Sequence, residues 1–182
     1  MCFRMRSLYV LLLLGAALLA LVFAVRSGKF AWKNVQPMSK YMRETMDTPQ
    51  NPQFSTEEAV VLDREFTTAV VLPSGLRYII RTPGSGDAKP RPGQTATVQY
   101  EGRLLLGGKK FDSSYDRGQP FVFPVGVGKV IKGWDATVLD MKRGEKRTVV
   151  IPWWLAYGAA GRPPVIPPKA SLVFDIELLD FR

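Results

Sequence analysis

The C-terminal stretch SLVFDIELLDF alternates: Leu172, Phe174, Ile176 and Leu178 are apolar, with Asp175 and Glu177 standing between them. A period of two marks a half-buried strand, and a lone strand is unstable until neighbours complete its hydrogen bonds and something apolar covers its buried face. The neighbours are legible upstream. In TATVQYEG, Ala96, Val98 and Tyr100 share one face while Thr95, Thr97 and Gln99 share the other, and RTVVIP continues the theme. TAVVLPSGLRYII reads as two strands about a Pro-Ser-Gly turn, with Leu76, Tyr78 and Ile80 alternating against Arg77 and Ile79. One helix is persuasive here, from about Lys132 to Met141, where Trp134, Val138 and Met141 recur at helical spacing and Gly144 follows as a stop. An antiparallel sheet covered by one short helix is an α+β architecture.

The 182 residues allow one domain of ordinary size and an appendage. The inventory excludes several chemistries. There is no histidine, hence no Ser-His-Asp or Cys-His pair and no imidazole ligand; the sole cysteine, Cys2, leaves no internal disulfide and no thiolate zinc site. No cofactor is expected. The formal charge of +9 is spread along the chain without a basic run, so nucleic acid is not an expected partner. It reads as a solvated basic surface, with proximity to anionic lipid or acidic clients as the alternative.

The appendage is N-terminal. Arg4 and Arg6 precede LYVLLLLGAALLALVFAV, an uncharged run from Leu8 to Val25 that ends at Arg26. Its length suits a retained membrane anchor better than the shorter apolar core of a secretory signal, although Val22 and Ala24 fit a cleavage site after Ala24. The expectation is an N-terminus in the cytoplasm and a domain outside it, in a bacterial periplasm or cell envelope; cleavage and secretion to the periplasm is the alternative. Residues 1–25 are thus a signal anchor or signal peptide, 26–65 a polar linker, and 66–182 the folded domain. STEE at Ser55–Glu58 fits a capping box, so a short helix can close the linker.

Aromatic residues outnumber what such a sheet needs: Tyr100, Phe111, Phe121, Phe123, Trp134, Tyr157 and Phe174 all fall in or beside expected strands. Buried Tyr100 and Tyr157 would need partners for their hydroxyls. The loop AYGAAGRPPVIPP is both stiff and apolar, which leaves two readings: Val165 and Ile166 cap the core, or they form the lip of a cleft.

Five segments taken together, GQTATVQYEGRL, GKKFDSSYDRGQPFVFPVGVGKVIKGWD, MKRGEKRTVVIP, AYGAAGRPPVIPP and LVFDIELLDF, resemble the FKBP family of peptidyl-prolyl cis-trans isomerases from about Pro73 to Phe181. The resemblance implies an antiparallel half-barrel wrapped on one short helix, with an apolar pocket between them. It implies a catalytic set of Tyr100, Asp112, Ile131, Trp134, Tyr157 and Phe174, and substrate contacts from Phe111, Arg117, Phe121, Val130 and Ile166. Trp134 would be the pocket floor, Arg117 would pair with Asp112, and the Ile131 N–H and Tyr157 hydroxyl would donate to ligand carbonyls. The implied partners are proline-containing client polypeptides and macrolide inhibitors of the rapamycin type. Two departures stand out: Arg162 and Pro164 occupy positions where the family commonly has histidine and glycine, and Trp153–Trp154 replaces an acidic-aromatic pair. The sequence also allows a binding module of the same fold without isomerase activity, and an envelope protein using a small β-domain for docking.

Overall fold

The computed structural model describes residues Gln53–Arg182. The Leu8–Val25 run, Cys2 and most of the linker lie outside the described residues. Among the described residues no helix is long and apolar enough to cross a membrane.

The first helix, α1 (Thr56–Glu65), begins as STEE predicts. The Glu58 N–H donates to Ser55 Oγ at 3.1 Å and the Ser55 N–H donates to Glu58 Oε2 at 3.0 Å, so two donors that a helix start leaves unmatched are satisfied. Seven strands follow: β1 (Val70–Val71), β2 (Arg77–Thr82), β3 (Thr95–Leu104), β4 (Lys110–Ser113), β5 (Phe121–Pro124), β6 (Lys146–Ile151) and β7 (Leu172–Phe181). Helix α2 (Lys132–Asp140) lies between β5 and β6, and a 3-10 turn covers Trp153–Leu155. All pairings are antiparallel, in the order β1-β2-β6-β7-β3-β4, with β5 also on β3. The sheet, α2 and the α+β class match the sequence reading. The short strands β4 and β5 and the 3-10 turn are additions to it, because four residues are too few to display a period.

The inner face carries the main core, where Ala96, Val98, Tyr100, Val149, Ile151, Leu172, Phe174, Ile176 and Leu178 pack against Trp134, Val138 and Leu139 of α2. Gly133 brings the helix this close. A Cβ there would lie 2.4 Å from Ile151 Cγ2, so any larger residue pushes the first turn of α2 off β6.

The outer face is covered too, which the sequence reading does not anticipate. Leu62 and Phe66, four residues apart on α1 and its cap, are buried with Leu105, Val150 and Val173, while Ile79 packs from β2. Ile80, by contrast, is 49% exposed. Glu58 is itself buried and accepts the Ser171 N–H at 3.1 Å, tying α1 to the start of β7. Packing therefore begins near Phe54, ahead of the boundary at 66, because alternate positions of β6 and β7 expose Val150 and Val173 to whatever can cover them. Leu62→Ala is expected to cost about 2–5 kcal/mol of unfolding free energy, read as a lowered urea midpoint; a midpoint unchanged from the parent would detach α1 from the domain.

Candidate active site

The central strand β3 places Tyr100 at mid-length with its ring on the inner face, and the two halves of β3 take different partners. Thr95–Val98 pairs with β5, which brings Phe121, and Glu101–Arg103 pairs with β4, which brings Phe111 and Asp112. On the other edge Gly102 lies opposite Phe174 of β7. A Cβ at Gly102 would meet Phe174 Cε1 at 2.7 Å and Phe111 Cζ at 2.9 Å, so the bare backbone lets these two rings close edge to face, 5.6 Å apart. Helix α2 enters from below. Ile131 is its N-cap, its carbonyl accepting the Trp134 N–H at 2.9 Å, and the Trp134 indole is 4% exposed. That indole has Tyr100 at 4.8 Å, Phe174 at 5.3 Å, Phe123 at 5.7 Å and Phe121 at 5.9 Å between ring centroids.

These elements surround a cavity of about 390 Å³ lined by Tyr100, Phe111, Asp112, Arg117, Phe121, Lys129, Val130, Ile131, Trp134, Tyr157, Arg162 and Phe174. Ten of the eleven site residues expected from the sequence line it. Ile166 does not: it is 2% exposed, packs in the main core, and borders an adjacent cleft of about 350 Å³ with Phe111, Asp112, Tyr157 and Arg162–Val165. Phe123 belongs to the core, stacked on Phe121 at 5.2 Å. The proline loop thus satisfies both readings at once, with Ile166 turned inward as a cap and Val165 45% exposed beside the cleft. Lys129 is the lining residue that sequence reasoning missed. A lone lysine after Gly-Val-Gly carries no pattern, and only its place immediately before Val130 and Ile131 could have marked it.

One polar cluster stands in the aromatic wall. The Tyr100 hydroxyl donates to Asp112 Oδ2, Arg117 Nη1 donates to Asp112 Oδ1, and Arg117 Nη2 donates to the Tyr100 oxygen at 2.9 Å. The guanidinium also lies over the Tyr100 ring, 5.4 Å from its centroid. Burial, reinforced by the hydrogen bond to the anionic Asp112 and opposed by Arg117, pushes the Tyr100 phenol up to about 12. Tyr100 is therefore a neutral donor across the physiological range, already committed to Asp112. The hydrogen bond to Tyr100 in turn raises Arg117 above its ordinary value. The cluster has donors and an acceptor held in place. It has no nucleophile with an activating base, and its chemistry is positioning and polarisation.

Trp154, one of the departures, packs away from the cavity: its Nε1–H donates to the Ser74 carbonyl at 2.9 Å and its ring meets Phe54 at 5.1 Å. It holds the segment leading into α1.

The FKBP-type peptidyl-prolyl cis-trans isomerase family model matches residues 86–179. The chain is 56% identical over 94 residues to the peptidyl-prolyl cis-trans isomerase FPR2 of Saccharomyces cerevisiae, a match spanning 52% of this chain and 70% of that one. It is 52% identical over 98 residues to FK506-binding protein 1 of Kluyveromyces lactis, covering 54% and 85% respectively. Among solved structures AtFKBP13 superposes with a TM-score of 0.59 at 42% identity, over 63% of this chain and 98% of that chain. The family model spans more than half of the chain and the superposition covers nearly all of AtFKBP13, and the chain belongs to the FKBP-type peptidyl-prolyl cis-trans isomerases.

Proposed function

We propose that this isomerase turns X-Pro bonds of client polypeptides within the Trp134-floored cavity, without proton transfer, and that it does so outside the cytosol. The observation that carries the mechanism is the make-up of the wall: six aromatic rings and Val130 and Ile131 around a single engaged carboxylate. Rotation about an X-Pro bond faces a barrier near ~20 kcal/mol and takes tens of seconds or more unaided. No bond is made or broken. As the amide twists it loses resonance, and its carbonyl becomes less polar than in the planar form, so a dry aromatic cavity favours the twisted state relative to water. Trp134, Phe174, Val130 and Ile131 supply the dryness. The Ile131 N–H, at the start of α2, and the Tyr157 hydroxyl hold carbonyls on either side of the turning bond, and Asp112, fixed by Tyr100 and Arg117, aligns the segment.

The test is a proline-peptide isomerisation assay on the segment beginning at Gln53, which keeps the Phe54–Trp154 contact, with a rapamycin-type macrolide as inhibitor. Acceleration that the macrolide abolishes is the expected result; a rate equal to the uncatalysed one would leave a binding module of the same fold. Asp112→Asn is expected to lower kcat/KM about tenfold, by weakening the charge-assisted bonds that align Tyr100 and Arg117.

The pH response follows from composition. With no histidine in the chain and no cysteine beyond Cys2, no side chain around the cavity has an ordinary pKa between about 5 and 8. The profile of kcat/KM should be flat from about pH 6 to about 8.5, where general acid-base catalysis gives a bell or a step. A steep limb in that window, abolished by Asp112→Asn, would make Asp112 a proton-transfer group. Stability should respond at alkaline pH instead. The folded state raises the Tyr100 pKa above its unfolded value, so this contribution is complete below about pH 10 and fades as pH climbs toward about 12.

The location outside the cytosol is supported by the Leu8–Val25 run after Arg4 and Arg6. Protease added to spheroplasts should digest the domain while sparing cytosolic markers, and an N-terminus at Val25 in a soluble envelope fraction would show cleavage in place of anchoring.

A further inference from the structure

We propose that Lys129 and Arg162 make this isomerase select client segments that carry an aspartate or glutamate beside the X-Pro bond. The proposal rests on the isomerase reading of the cavity and adds to it the charge of the preferred client. The cavity lining holds one carboxylate against three cations. Asp112 is already engaged by Tyr100 and Arg117, so its charge is spent within the wall. Lys129 and Arg162 are both exposed, and neither forms an ion pair among the described residues. A docked segment therefore meets a positive mouth above an apolar floor.

Both cations stand on stiff supports, which separates them from ordinary surface charges. The Arg162 N–H donates to the Ile166 carbonyl at 2.8 Å and the Ile166 N–H returns to the Arg162 carbonyl at 3.0 Å, closing the loop over Pro163 and Pro164. Its guanidinium lies over the Tyr157 ring, 5.8 Å from the centroid, at the cavity wall. Lys129 follows Gly126 and Gly128, whose N–H groups donate to Asp135 Oδ1 at 2.7 Å and Oδ2 at 2.9 Å. Asp135 is fully buried on α2 next to Trp134. Because their backbones are fixed, the two side chains lose less freedom on meeting a client carboxylate than side chains on mobile loops would. Apolar walls beside them focus the field toward the mouth.

The experiment uses the full chain and one peptide sequence made with Glu, Gln or Lys flanking the X-Pro bond. At low salt kcat/KM for the Glu peptide should exceed that for the Lys peptide roughly tenfold, from two cations each worth at most about fivefold at contact in water. The ratio should collapse toward one at about 1 M salt, where screening acts within about 3 Å. Lys129→Gln and Arg162→Gln should each shrink it by about two- to threefold. The ratio is read within each variant, so a change in general activity divides out, and the salt titration needs no substitution at all. A ratio near one with brisk turnover of the Gln peptide would overturn the proposal and leave the isomerase reading standing. A preference that survives the double substitution would also overturn it, since the charge would then act from elsewhere. Failure to accelerate any of the three peptides would sink the reading underneath.

Discussion

Trp134→Ala is expected to remove most of the activity and to cost about 3–5 kcal/mol of stability, a large share of the 5–15 kcal/mol typical of a domain. The indole is almost fully buried, and four aromatic rings contact it at centroid distances of 4.8–5.9 Å. Truncation removes those contacts and opens the floor to water at the point where a dry surface is needed. The two effects separate experimentally. Trp134→Phe keeps an apolar floor and should retain more activity than the alanine variant in an isomerisation assay, while urea unfolding reports the loss of packing in both. Equal activity in wild type and the alanine variant, with stability lowered as expected, would confine Trp134 to the core and refute its part in the mechanism.

A comparable loss of stability is expected from Arg147→Met, at a residue that does not line the cavity. Arg147 is 5% exposed and donates through Nε to Glu145, through Nη1 to Asp140 Oδ2 at 3.0 Å and through Nη2 to the Asp140 carbonyl at 3.2 Å. Its guanidinium sits 4.5 Å from the Tyr78 ring centroid. Removing it leaves Glu145 buried without its cation, which costs about 3–5 kcal/mol, whereas Asp140 keeps Lys89 at 2.6 Å. Replacing both charges, as in Arg147→Met with Glu145→Gln, should recover much of the loss, because no uncompensated ion remains. Urea unfolding of the single and double variants checks this; a double variant as unstable as the single one would show that packing, not charge, sets the cost.

The two long strands announced themselves because their faces differ. Tyr100 and Phe174 fall on apolar phases of β3 and β7, and both reach the cavity. Lys132–Asp140 was legible from the spacing of Trp134 and Val138, and the capping box at Ser55 marked α1 to the residue. The docking of α1 was harder to see. Its evidence lay elsewhere, in the unbroken burial of Arg147–Ile151 and Leu172–Phe174, which means that both faces of those strands are covered. A run such as TVVI therefore asks for a second cover, and Leu62 and Phe66 were at hand to supply it. The two roles open to Val165 and Ile166 could not be divided from the sequence, because adjacent loop residues show no period. The reciprocal bonds between Arg162 and Ile166 turn the loop so that its apolar pair divides, Ile166 inward and Val165 outward.

The Asp135 carboxylate joins the Gly126–Gly128 turn to the first turn of α2. One wall of the cavity and its floor are in consequence a single mechanical piece. Opening that turn alone would take two hydrogen bonds from a fully buried carboxylate, so the turn and the helix should open together. The Gly126 and Gly128 amide protons should then exchange with solvent as slowly as those of α2, the mark of a wall and floor that do not rearrange separately.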